Sequence, residues 1–109
     1  MQEQSVEKAL VQKVKKRQGL ALKFVSPGMA GVPDRIVLMP EGKMAFVELK
    51  APGKKPRPLQ VCRMQKLQRL GFRCYVVDST SMIDEVLDEI GGSHEVYPSC
   101  ISSLCHISH

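Results

Sequence analysis

The sequence predicts an α/β domain: a small mixed β-sheet flanked by helices, in the order helix, three strands, helix, strand, helix. Two observations predict it. Residues 2–18 and 59–70 carry apolar side chains at helical spacing, while the segments between and after them hold short apolar runs of strand length bounded by glycine and proline. The chain has 109 residues, which suits one domain with a modest core.

Each element follows from local pattern. In residues 2–18, Val6, Ala9, Leu10 and Val14 form one apolar stripe, and Gly19 stops the helix. Leu20 to Val25 reads as the first strand. Ser26 to Gly31 is a loop whose glycines let backbone approach a ligand closely. Ile36 to Met39 and Met44 to Lys50 read as two strands of a hairpin turned by Pro40-Glu41-Gly42-Lys43. Ala51 to Pro58 is a second loop, stiffened by three prolines and carrying Lys54, Lys55 and Arg57. A helix from Leu59 to Leu70 offers Leu59, Cys62, Met64, Leu67 and Leu70 for packing and is ended by Gly71. Phe72 to Val77 is the last strand. Ser79 or Thr80 caps a final helix running to Ile90, and Gly91-Gly92 stops it. Residues 1–91 are thus read as the folded unit and 92–109 as a tail.

Charge is segregated along the chain. Residues 1–77 hold 16 basic and five acidic side chains, net +11, and residues 78–109 hold six acidic and no basic ones, net −6. Such a basic field draws a phosphate backbone. Five aromatics in no series give no base-stacking platform. No apolar run reaches the roughly 18 residues of a membrane span, and the polar start is unlike a secretory leader. Cys62, Cys74, Cys100 and Cys105 include no CxxC pair, and are read as free thiols in a reducing cytoplasm.

Three of the five early acids stand out. Asp34 opens one hairpin strand, Glu48 lies near the end of its partner, and Lys50 follows Glu48 by two, hence on the same face. A turn centred between Glu41 and Gly42 sets Asp34 opposite Leu49, one residue from Glu48; a bulge at the turn would set it directly opposite. Two carboxylates near one point suit a hard cation that also takes substrate phosphate oxygens. The same triplet also arises as a salt-bridge cluster on an edge hairpin. Glu7 borders the apolar stripe of the first helix, where a carboxylate needs a partner or a metal, unless it is simply exposed at the stripe's edge.

From Glu7 to Asp78 the chain resembles the VRR-NUC (virus-type replication-repair nuclease) domain, a branch of the PD-(D/E)xK nuclease superfamily. The resemblance is carried by Glu7, Gly31-Val32-Pro33-Asp34, Val47-Glu48-Leu49-Lys50 with Pro52-Gly53, Gln60, and Gly71 to Asp78. It implies a restriction-endonuclease-like core and a Mg2+- or Mn2+-dependent deoxyribonuclease, bacterial or phage-encoded and acting in the host cytoplasm. Asp34 and Glu48 would bind the metal with the Leu49 carbonyl, and Glu7 would reach it directly or through water. Lys50 would orient the attacking water, and Gln60 would hold the lysine, water or phosphate. Small members resemble Holliday junction resolvases, which implies branched DNA and a homodimer. Lys54, Lys55 and Arg57 are expected to contact flanking phosphates. A catalytically silent branched-DNA-binding module and a sequence-specific restriction-type endonuclease are the alternatives. The intact acids and lysine argue against the first, and the short chain against the second.

The tail departs from this pattern. Cys100, Cys105, His106 and His109, with His94 nearby, match no common structural zinc spacing. Ile101, Leu104 and Ile107 offer an apolar face for a dimer interface or for packing, and disorder is the plain alternative.

Overall fold

The hairpin at the centre of the domain sets its geometry. In a computed structural model that describes residues 3–91, β2 (Arg35–Met39) and β3 (Lys43–Leu49) pair antiparallel, Met39 opposite Lys43 and Arg35 opposite Val47. The 3-10 turn between them spans Pro40–Gly42, with Glu41 and Gly42 both at positive φ, 69° and 77°. This three-residue turn centres on Glu41, so the register is one residue away from that of a turn centred between Glu41 and Gly42.

β1 (Leu20–Lys23) pairs antiparallel with β2, and β4 (Cys74–Val77) lies parallel to β3. The sheet order is β1-β2-β3-β4, a mixed sheet. The parallel pair is reached through α2 (Pro58–Arg69), because parallel neighbours need a crossover. α1 (Glu3–Lys16) precedes the sheet, and α3 (Ile83–Ile90) follows it after a 3-10 turn at Thr80–Met82. Ser79 precedes that turn without a side-chain cap, so the final helix starts later than the capping residues suggested.

Strand alternation divides the core into two layers. Val37, Ala45, Val47, Leu49, Tyr75 and Val77 meet Val6, Leu10 and Val14 of α1 and Ile83, Val86, Leu87 and Ile90 of α3. On the other face Phe46 and Cys74 meet Met64, with Val61 and Leu67 of α2 packed against them. α3 is held further by ion pairs, Lys13 of α1 to Asp84 at 2.8 Å and Arg17, just after α1, to Asp88 at 2.8 Å. Part of the acidic C-terminal charge is therefore neutralised within the fold. α3 turns its apolar side to the core, which leaves that side unavailable to a second copy.

α1 reverses at Gln18, which takes a positive φ of 68°. Gly19 answers a different need: a Cβ there would stand 2.4 Å from the Leu38 carbonyl oxygen. Cys62 is exposed and Cys74 buried, and both are free cysteines. No helix among the described residues is long and apolar enough to cross a membrane. The tail residues Cys100, Cys105, His106 and His109, and the apolar set Ile101, Leu104 and Ile107, lie outside the described residues.

Candidate active site

The observed register extends by one step to set Asp34 opposite Glu48 rather than Leu49. Asp34 is fixed there by two backbone bonds. Its carboxylate accepts the Leu49 N–H at 3.1 Å, and its carbonyl accepts the Phe24 N–H at 2.7 Å. Glu48 alternates to the face covered by α2 and is only 1% exposed. Its Oε2 accepts the Gln60 side-chain amide at 2.8 Å and lies 3.3 Å from Lys50 Nζ. Its Oε1 is buried with no hydrogen-bond partner among the described residues.

Local sequence explains how Gln60 arrives. Pro58 begins α2, where its missing N–H costs nothing. Gln60 then sits in the first turn, and its Oε1 accepts the Arg57 backbone N–H at 2.8 Å. That bond leaves the amide nitrogen to face Glu48. The loop before Asp34 is pinned to the same helix: Arg63 donates to the Ala30 carbonyl at 2.8 Å. Gly31, at φ +87°, lies where a Cβ would come within 2.7 Å of Leu59. A side chain there would push loop and helix apart.

Burial and the neighbouring Asp34 carboxylate push the Glu48 carboxyl from its ordinary 4.5 up to about 7, with Lys50 and, more weakly, the Asp34 backbone N–H pulling it back. A buried acid with one unsatisfied oxygen and a second acid opposite is poorly placed as a purely structural group. Each unpaired buried polar atom costs stability.

Glu7 stands differently. It lines a cleft with Asp34, Leu49, Phe24, Val25 and Lys23, yet its carboxylate is bonded to Arg35. Arg35 follows Asp34 and therefore points to the opposite face, toward α1. It is 8% exposed and also donates to the Ala21 carbonyl at 3.0 Å. The structure thus brings Asp34, Glu48, Lys50 and Gln60 together and sets Glu7 at the rim. Among the described residues no three acidic, histidine or cysteine side chains form a ready metal cage. Arg35 was not singled out from the sequence, although its place next to Asp34 on a strand was the available signal. Lys54, Lys55 and Arg57 are exposed on the loop after β3, and the two lysines border a groove with Pro56, Val76, Asp78 and Met82.

A four-stranded mixed sheet between helices, with two carboxylates and a lysine gathered at one end of the central hairpin, defines the class: a small α/β domain of the PD-(D/E)xK nuclease type. The comparisons with known proteins agree. The VRR-NUC domain family matches residues 1–81. A protein named "Putative nuclease p44", from Acyrthosiphon pisum secondary endosymbiont phage 1, is 51% identical over 82 residues, covering 75% of this chain and 88% of that one. A solved structure described as a VRR_NUC domain superposes with a TM-score of 0.74 at 30% identity, covering 79% of this chain and 94% of the other. The chain belongs to the VRR-NUC domain family.

Proposed function

We propose that this protein is a divalent-metal-dependent endonuclease that hydrolyses phosphodiester bonds in structured or branched DNA. The observation that carries the reading is the buried Glu48 carboxylate, with one oxygen held by Gln60 and Lys50 and the other left without a partner beside Asp34. The donor set fits a hard cation such as Mg2+ or Mn2+, which takes oxygen ligands and commonly one or two carboxylates with substrate phosphate. Asp34 and Glu48 would hold it, with the Leu49 carbonyl as a further ligand and Glu7 contributing only at a remove. Such a cation, when bound, lowers the pKa of water and polarises the phosphoryl oxygen.

The chain's own residues supply the rest. Lys50, next to Glu48 and partly open to solvent, orients the attacking water and offsets charge that builds on the phosphate. Gln60 fixes the rotamer of Glu48 through its own bond to the Arg57 backbone. Leu49 N–H aims Asp34. Lys54, Lys55 and Arg57 hold the phosphates flanking the cut. No histidine or serine is needed.

A branched substrate and a homodimer belong to the same proposal, since two symmetric cuts need two sites on a self-complementary interface. Cleavage of labelled four-way junction, flap, splayed-arm and plain duplex DNA, with and without Mg2+, tests it. Metal-dependent cutting of the branched substrates is expected. No cleavage of any of them in Mg2+ or Mn2+ would overturn the reading. Light scattering on the full chain tests the dimer: a monomer removes the paired-cut arrangement.

A further inference from the structure

We infer that Arg35 is a positioning residue that withholds Glu7 from the metal, leaving a site for one divalent cation held by two carboxylates. This inference rests on the metal-dependent reading above. Three acids lie near one end of the sheet, and their number alone would suggest a two-cation site. The structure distributes them unequally. Asp34, one residue beyond the β2–β3 ladder, falls opposite Glu48 when the register is extended, and Glu48 keeps a buried oxygen without a partner among the described residues. Glu7 comes from α1, and its carboxylate is bonded to the Arg35 guanidinium.

The pairing is hard to undo. Arg35 is 8% exposed and is anchored on its other side by the Ala21 carbonyl of β1, at 3.0 Å. Drawing Glu7 away would strand a buried guanidinium with a single backbone acceptor. The Arg35 side of the pair is buried and the Glu7 side is half-buried, so loss of Glu7 leaves the buried charge uncompensated, which is costly. Asp34 immediately precedes Arg35, the first residue of β2, and the Arg35 side chain turns to the α1 face, where it restrains Glu7. The cleft that Glu7, Asp34 and Leu49 share also holds Arg35 and Lys23. Its two cations oppose a second metal ion there.

Glu7 is then a counter-ion first and a metal neighbour at most through water. Cation affinity rises with the number of carboxylates that bind it. Freeing Glu7 should therefore tighten binding, and the gain should require Glu7 itself.

The test is titration of the full-length protein with Mn2+ in the absence of DNA. Calorimetry and the electron paramagnetic resonance signal of free Mn2+ both count bound ions. The wild-type chain should bind one Mn2+, and Glu7→Gln should change its affinity less than about threefold. Arg35→Gln should tighten it about tenfold, and the double variant Arg35→Gln/Glu7→Gln should return to the Glu7→Gln value. The double-mutant cycle separates two causes. Mere loss of a positive charge would leave the double variant tighter than Glu7→Gln, and that result overturns the inference. Two Mn2+ per wild-type chain, or a tenfold loss in Glu7→Gln, overturns it as well, even where Arg35→Gln fails to fold. In both cases the nuclease reading stands. No Mn2+ bound at all overturns the metal reading first and the inference with it.

Discussion

The two faces of the sheet carry the same kinds of charged residue and treat them in opposite ways. On the α1 and α3 side, Lys13, Arg17, Asp84 and Asp88 bond one another at the solvent boundary, and Glu7 bonds Arg35 beneath them. Each of these acids has a basic partner, as Glu48 has Lys50, and the pairs fasten α3 to the end of α1 and α1 to the sheet. On the α2 side, Glu48 is deeper than any of these acids and yet keeps an oxygen without a partner. It also faces Asp34, a like charge. The difference teaches where to look for chemistry: in a fully buried carboxylate that keeps an oxygen without a partner beside a like charge.

The largest expected effect breaks that comparison on its chemical side. Glu48→Ala or Asp34→Ala should abolish cleavage in Mg2+ while leaving DNA affinity equal or higher, because carboxylate–phosphate repulsion is removed. Gel-shift and cleavage assays on one protein preparation read both. Lys50→Ala should likewise stop turnover; full activity in any of the three would remove the site assignment.

The next effect is on stability. The folded Glu48 titrates near 7 against its ordinary 4.5, so the native chain binds the extra proton between those values. The contribution of Glu48 to the stability of the metal-free protein is then fully present below about pH 4.5 and is lost as pH rises through about 7, by about 3 kcal/mol in all. Chemical denaturation in chelator across that window should show the fall, and Glu48→Gln should flatten it. A slope that persists in Glu48→Gln would assign the titration to another group.

Smaller still is the change in DNA binding when Lys54, Lys55 and Arg57 are replaced together by alanine. Affinity should weaken, and the salt dependence should become shallower by about 0.9 in slope for each phosphate that the variant no longer neutralises. An unchanged slope would move the DNA off this loop. The smallest effect belongs to the other face: Arg17→Ala breaks exposed bonds to Asp84 and Asp88, and should shift the urea midpoint slightly at low salt and not at all at high salt. A large shift would make the α1–α3 packing more than a rim of solvated pairs.

Much of this was legible in the sequence because it is local. The α1 stripe, the hairpin, the shared face of Glu48 and Lys50, and the helix bearing Gln60 follow from periods of two and 3.6 residues. The hairpin register did not, because it depends on Glu41 taking a left-handed conformation, and glutamate carries no signal for that. Nor did the Glu7–Arg35 pair. Periodicity says that Arg35 faces away from Asp34, but not which helix covers that face. The pairing of Lys13 and Arg17 with α3 is of the same kind, since it joins residues 71 apart. Local pattern supplied faces; only the assembled sheet supplied partners.

One feature of the topology bears on how the domain forms. Asp34, Glu48, Lys50 and Gln60 come from one unbroken stretch of chain, the β2–β3 hairpin and the first turn of the helix that follows. Neither α1 nor α3 contributes to that cluster. Groups close in sequence meet with little loop-closure entropy, so such an arrangement has low contact order and its members come together early in folding. The long-range work, closing β4 onto β3 and seating α1 and α3 on the opposite face, then completes the sheet beside a cluster whose parts are already neighbours. A transplant of residues 34–60 into another scaffold would carry those four side chains together and would leave Glu7 behind.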